Sequence, residues 1–130
     1  MRNEHIVPLS KQTKDILHKL RDLSGTSQWV LPGAYGQKPI SENTLIYAMY
    51  RLGYRSRATI HGFRSTASTI LNESGLWRPD AIERQLAHVP RDEVRHAYNA
   101  ALYLDERKHM MQWYSDTLEL LDPDLLKLLT

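Results

Sequence analysis

The stretch from Ile60 to Glu73 constrains this chain most, because two different stripes share one helical period. One stripe is apolar apart from its last member and consists of Ile60, Phe63, Ala67, Ile70, Leu71 and Ser74. The other is polar and consists of His61, Arg64, Ser65, Ser68 and Asn72. His61 and Arg64 are three residues apart, so both side chains leave the helix on one side. The pattern predicts a helix that buries one face and presents an imidazole and a guanidinium together, a pair suited to a phosphate.

Start and stop signals for helices recur along the rest of the chain. Ser10 and Gly25 bracket one helical stretch, Ser41 and Gly53 bracket the next, and Pro79 opens a fourth helix after the central one. Further helices are expected from Ala100 to Leu121 and after Pro123, while residues 5–9 favour a short strand and residues 32–40 a loop. The fold class predicted is mainly α, with about six helices and a small β element near the N-terminus.

Apolar spacing also gives the candidate core. The second helix is expected to bury Leu45, Ala48, Met49 and Leu52; the fourth, Ile82 and Leu86; the long helix, Leu104, Met111, Tyr114, Leu118 and Leu121. The cluster of Met110, Met111 and Trp113 is expected to be core as well. One domain of 130 residues is large enough to hold one such core.

Several classes of protein and site are excluded by composition. The chain has no cysteine, which excludes disulfides and cysteine-based metal sites and suits a reducing compartment. It has no apolar run near the roughly 20 residues of a membrane span and no signal-peptide pattern. His61, His88 and His96 do not have the spacing of zinc ligands, so no metal site is predicted.

Charge is distributed unevenly, although the formal net charge is only +2. No acidic residue occurs from Asn43 to Asn72, a stretch that contains Arg51, Arg55, Arg57 and Arg64. The stretch from Asp105 to Thr130 contains six acidic and three basic residues. A basic section around the His61 and Arg64 pair is typical of a surface that contacts nucleic acid, and an ordinary solvated surface is the alternative.

Three short sequence features follow one another along the chain: His61-x-x-Arg64, then His88 after Leu86-Ala87, and then Tyr98 ten residues later. This set resembles the C-terminal catalytic domain of the tyrosine recombinases, the phage integrase family, and most closely the integrases of P4-like prophages and genomic islands. The resemblance covers nearly the whole chain. The matching motifs are His-Ile-Val-Pro-Leu-Ser (5–10), Ser-Glu-Asn-Thr (41–44), His-Gly-Phe-Arg-Ser-Thr-Ala-Ser-Thr (61–69), Ile-Glu-Arg-Gln-Leu-Ala-His-Val (82–89), Ala-Tyr-Asn (97–99) and Met-Met-Gln-Trp (110–113).

The resemblance implies a DNA breaking-rejoining fold and roles for individual residues. Arg64 corresponds to the second arginine of the family's catalytic pair, His61 is its partner, and His88 stands where family members have His or Trp. Tyr98 corresponds to the nucleophile, with Tyr103 as the alternative. The acid-free stretch, and not the resemblance, makes Arg51, Arg55 and Arg57 the expected DNA contacts together with Arg64.

The implied activity is site-specific recombination for prophage or genomic-island integration and excision, through a 3′-phosphotyrosyl intermediate. It needs no cofactor and no metal. The implied partners are double-stranded DNA attachment sites and other copies of the protein, as a tetramer on DNA, with no membrane and no small-molecule substrate. The expected location is the bacterial cytoplasm, at the nucleoid.

The chain also departs from the family pattern. The family has an earlier catalytic arginine, and Arg2 lies too near the terminus to replace it. The family also has a catalytic lysine on a β-hairpin, and Lys11 does not match it because it follows the predicted strand. Residues 1–130 are therefore expected to be one truncated catalytic domain without core-binding and arm-binding domains, inactive alone. The alternative is a non-catalytic helical module that binds DNA or protein.

Overall fold

The computed structural model describes residues 5–87 and 103–121, and this part of the chain is mainly helical. Its helices are α1 (Lys11–Ser24), α2 (Glu42–Arg51), α3 (Ile60–Glu73), α4 (Pro79–Gln85) and α5 (Leu104–Leu121). None of them is long and apolar enough to cross a membrane. The chain divides into two compact units, residues 12–66 and residues 1–11 with 67–130, which are described separately.

The predicted local signals set most of the helix ends. Gly25 follows α1 with a φ of +58°, a conformation that glycine adopts without steric strain. Ser41 precedes α2 in an extended conformation, and Pro79 is the first residue of α4. The long helix was predicted to start at Ala100, but Tyr103 has a φ of +45° and α5 begins only at Leu104. Residues 100–102 and the helix expected after Pro123 lie outside the described residues.

The prediction of a strand at residues 5–9 is wrong. Residues 5–10 form no regular structure, and the β pairing in the described residues is one isolated bridge between Pro32 and Pro39. A strand needs a partner for its backbone groups. Here α5 provides such a partner for one carbonyl, because the side chain of Arg107 donates to the carbonyl of Ile6 at 2.6 Å. A side-chain hydrogen bond from Ser115 to the hydroxyl of Ser10 at 2.7 Å adds a second contact to α5.

The unit of residues 1–11 and 67–130 contains the buried core. Leu71 from α3, Ile82 and Leu86 from α4 and its end, and Met110 from α5 form its centre. The half-buried side chains of Trp77, Met111, Trp113 and Tyr114 pack against it. The predicted inward direction of Ile82 and Leu86 and the predicted core role of the methionine and tryptophan cluster are confirmed. In the predicted α5 stripe, Leu104, Met111 and Tyr114 are half-buried. Leu118 and Leu121 are exposed, at 41% and 70%.

The unit of residues 12–66 differs, because all its residues are described and none is buried. The prediction that α2 buries its apolar stripe is therefore wrong for Leu45, which is 43% exposed, and for Leu52, which is 71% exposed. The other two members, Ala48 and Met49, are half-buried. The prediction that α3 buries its apolar stripe is also wrong for the first half of the helix, because Ile60 and Phe63 are exposed. Periodicity identifies the apolar side of a helix, but a second surface is needed to bury it.

Candidate active site

The first turn of α3 is fixed by a cap that places His61 and Arg64. Thr59 precedes the helix, and its hydroxyl accepts a hydrogen bond from the backbone N–H of Gly62 at 2.9 Å. This bond satisfies one of the N–H groups that a helix start leaves without a partner. A side chain at position 62 would bring its Cβ to 3.0 Å from that hydroxyl, so the glycine lets the cap approach closely. Thr59 was not among the residues predicted from the sequence, although a threonine directly before a helical stretch is the usual signal for a cap.

His61 and Arg64 open onto one groove, as their spacing predicted. The groove has a volume of about 580 Å³ and lies between α2 and the start of α3. Its lining is mostly apolar and comes from Leu45, Ile46, Met49, Tyr50, Ala58 and Ile60, with Glu42, Thr59, His61 and Arg64 as the polar members. His61 is exposed and Arg64 is half-buried. An anion in this groove can therefore meet an imidazole, a guanidinium and the positive end of the α3 dipole together.

The other predicted DNA contacts lie on the connection from α2 to α3 and are exposed. Arg51 ends α2, while Arg55 and Arg57 belong to the connection itself. The guanidinium of Arg55 lies over the ring of Tyr50, 5.3 Å from its centroid, a cation–π contact that holds the charged group near the groove. Tyr50 was not among the predicted site residues, and its position in the α2 pattern gave no signal for this role.

Two of the four predicted catalytic residues, His88 and Tyr98, lie outside the described residues. The alternative nucleophile Tyr103 is described: it is half-buried, directly precedes α5, and its carbonyl accepts the backbone N–H of Arg107 at 2.8 Å. Among residues 5–87 and 103–121, no group of three or more histidine, cysteine or acidic side chains is arranged to hold a metal ion.

Arg107 is a buried charge that the sequence analysis did not select. It is 0% exposed, and burial lowers the pKa of its guanidinium, as does the neighbouring Arg84 to a lesser extent. Its Nε donates to Oε1 of Gln85 at 2.9 Å. A signal existed, because Arg107 shares one helical face with Met110, Met111 and Tyr114. A charged residue on an apolar stripe is either misplaced or buried with hydrogen bonds.

The comparisons with known proteins all point to one family. The model of the family described as "Phage integrase family" matches residues 1–104. The chain is 48% identical over 118 residues to the prophage integrase IntZ of Escherichia coli K12, which covers 91% of this chain and 29% of that protein. It is 46% identical over 124 residues to the integrase of Enterobacteria phage P4, with 92% of this chain and 28% of the relative covered. No solved structure matches.

The integrase of Shigella phage Sf6 is 42% identical over 120 residues, which cover 91% of this chain and 31% of that integrase. The chain thus spans less than a third of the length of these curated relatives. The similarity covers nearly all of this chain and only one section of each longer relative.

Proposed function

Because the chain belongs to the phage integrase family, we propose that it is the catalytic section of a site-specific DNA recombinase acting through a 3′-phosphotyrosyl intermediate. The observation that carries this proposal is the placement of His61 and Arg64 side by side on one groove at the capped start of α3. Family membership supports DNA integration and recombination in general; the roles of single residues belong to the proposal.

The proposed reaction exchanges one phosphoester bond for another. The hydroxyl oxygen of Tyr98 attacks the phosphorus of a DNA phosphodiester, the phenolic proton is lost, and the bond to the 5′-oxygen breaks. That oxygen takes up a proton and leaves as a free 5′-hydroxyl, while the 3′-phosphate stays on the tyrosine. A second 5′-hydroxyl reverses these steps and releases Tyr98.

Charge develops on the non-bridging oxygens during this transfer, and the described groups suit it. The guanidinium of Arg64 can donate two parallel hydrogen bonds and stays charged at any working pH. His61 can donate another, and His88 is proposed to donate a hydrogen bond or move a proton. Since the covalent link conserves the energy of the broken ester, the proposal includes no cofactor and no metal.

Double-stranded DNA at attachment sites is the proposed partner. Arg51, Arg55 and Arg57 would contact phosphates beside the groove, which fixes position on the duplex without reading its sequence. For the whole protein we propose a tetramer on DNA and a location at the bacterial nucleoid. We expect the 130-residue chain alone to bind DNA weakly and to form little covalent product.

A second candidate function is a non-catalytic helical module that binds DNA or protein. The observation that favours it is the unit of residues 12–66, which keeps all its apolar side chains at least partly exposed around an open groove. Exposed apolar surface of this extent is typical of a section that binds something else.

A chimera separates the two functions. Residues 5–130 replace the matching section of the phage P4 integrase, and the product is incubated with a nicked attachment-site duplex that traps the covalent complex. The proposal predicts a protein–DNA adduct that disappears with Tyr98→Phe and Arg64→Gln and persists with Tyr35→Phe, a control at a side chain that is 92% exposed.

An adduct that survives Tyr98→Phe but not Tyr103→Phe would move the nucleophile to Tyr103. A chimera that binds DNA and unfolds cooperatively, yet forms no adduct, would favour the non-catalytic module.

A further inference from the structure

The segment from Tyr47 to Arg57 combines the proposed phosphate contacts with aromatic side chains that phosphate contact does not require. It contains three of the chain's seven tyrosines and three arginines, which are Tyr47, Tyr50, Arg51, Tyr54, Arg55 and Arg57. All six residues are exposed, and the segment contains no acidic residue. Aromatic rings interleaved with cations are typical of surfaces that bind unpaired nucleic acid, because bases stack on the rings while phosphates contact the charges.

Two of the tyrosines and one arginine form an ordered cluster. Tyr47 and Tyr50 are one helical turn apart on α2, and their ring centroids lie 6.2 Å apart at an interplanar angle of 89°. The guanidinium of Arg55 lies over the ring of Tyr50, 5.3 Å from its centroid. Each ring therefore has a partner that restricts its orientation. Tyr47 is the more accessible of the two, at 58% exposed against 41% for Tyr50.

The connection after α2 is held by its own backbone. The N–H groups of Arg57 and Ala58 both donate to the carbonyl oxygen of Tyr54, at 3.0 and 3.1 Å, and the N–H of Tyr54 donates to the carbonyl of Met49 at 3.0 Å. These bonds form a compact turn in which Arg55 reaches back over Tyr50 without help from a ligand. A surface that is already arranged in this way loses less conformational entropy when it binds.

Tyr50 connects this cluster to the groove of the candidate active site. Its side chain lines the groove together with His61 and Arg64, and Tyr47 extends the aromatic surface along α2. A strand with a phosphate at His61 and Arg64 therefore has this cluster beside it. The proposed reaction creates a need for such a surface, because a strand that changes partners must separate from its complement before a second 5′-hydroxyl can attack.

We propose that Tyr47 and the Tyr50–Arg55 pair form a stacking site for unpaired bases of a single DNA strand. The inference rests on the proposed function for its place in the reaction, but the binding itself needs no cleavage. Duplex DNA would use the arginines alone, because its bases are already paired and stacked. An acidic protein segment would likewise use the charges and leave the rings without a role. A single strand uses both, since every base has a face that stacks and every phosphate is an anion.

Oligonucleotides with and without bases test this site on the 130-residue chain. A labelled oligothymidine of about 12 nucleotides offers bases and phosphates, whereas an abasic oligomer of the same length offers phosphates only. By fluorescence anisotropy at low salt, the wild type should bind the oligothymidine at least about fivefold more tightly than the abasic oligomer. Tyr47→Ala should lose most of that preference. Tyr47→Phe should retain it, because the ring remains.

Tyr35→Ala is the matched control, because Tyr35 is an exposed tyrosine of the same unit that lies outside the segment. Its preference for the oligothymidine should equal that of wild type. The salt dependence separates rings from charges: Tyr47→Ala should leave the slope on the oligothymidine unchanged. Arg55→Gln should reduce that slope by about 0.7, the value for one phosphate contact on a single strand.

Equal affinity of the wild type for the two oligomers overturns the inference, and so does an equal loss of preference in Tyr35→Ala and Tyr47→Ala. A loss in Tyr47→Ala that is as large on the abasic oligomer or on a duplex also overturns it, because the ring would then not be reading unpaired bases. The phage P4 chimera keeps the two proposals apart. No adduct with an intact base preference would count against the proposed function alone, whereas an adduct without that preference would contradict only the stacking site.

Discussion

The four arginines of the acid-free stretch give a quantitative prediction for DNA binding. Arg51, Arg55 and Arg57 are exposed and Arg64 lines the groove with His61, all within residues 12–66. If each contacts one phosphate, each displaces a condensed counterion, and the logarithm of the binding constant changes by about 0.9 per contact for each logarithmic unit of salt.

Four contacts therefore predict a slope of about −3.6, which is a loss of roughly 150-fold in affinity between 50 mM and 200 mM salt. Any single arginine-to-glutamine substitution should reduce the slope by about 0.9, and the quadruple substitution should bring it close to zero. The effect should be the same on duplexes of different sequence, because phosphate contacts carry no base information.

Fluorescence anisotropy of a labelled duplex over this salt range measures the slope. Arg78→Gln is the matched control, because the Arg78 side chain is 74% exposed and pairs with Glu106 at 3.7 Å in the other unit. Its slope should equal that of wild type. A quadruple variant that keeps a slope steeper than about −3, or a control that loses as much as the single variants, would refute the assignment.

Three further predictions follow from individual contacts. Tyr50→Leu removes the ring under Arg55 and should weaken DNA binding roughly two- to fivefold by anisotropy while the salt slope stays unchanged, since the charge remains; a changed slope would contradict this. Thr59→Ala should destabilise the start of α3 by about 1 kcal/mol, seen as non-helical chemical shifts at residues 60–63, whereas Thr59→Ser should keep the cap; equal shifts in both variants would exclude capping. Burial raises the pKa of Tyr114, so the unfolded chain loses its phenolic proton first above about pH 10. The stability of the wild type relative to Tyr114→Phe should therefore fall as the pH rises through that range, and urea midpoints at pH 8 and above pH 10 check it; a constant difference would contradict the shift.

Local signals were enough to predict most helices, because helix ends depend on neighbours in sequence. Gly25, Ser41 and Pro79 each act within a few residues, and α1, α2 and α4 begin or end beside them. The pair of His61 and Arg64 follows from the same local geometry. These parts of the fold and site needed no knowledge of distant contacts.

Burial and partner choice depend on distant residues, and there the sequence was insufficient. The apolar stripe of α2 was visible, but no periodicity states whether another surface covers it. The segment of residues 5–10 has strand-like composition, yet its carbonyl at Ile6 bonds a side chain 101 positions away. Arg107 was overlooked because a charged residue is normally assigned to the surface. The roles of His88 and Tyr98 stay predictions.

The absence of a buried residue in positions 12–66 has a consequence for how such a protein changes over evolution. Surface substitutions usually alter stability by only about 0.5 kcal/mol, whereas removing a buried leucine or methionine costs about 2–5 kcal/mol. Mutations around the groove can therefore accumulate and be selected for what they bind, with little penalty in folding. Substitution of Leu71, Ile82 or Met110 carries that larger penalty, so changes in binding should arise in residues 12–66 while the other unit keeps its packing.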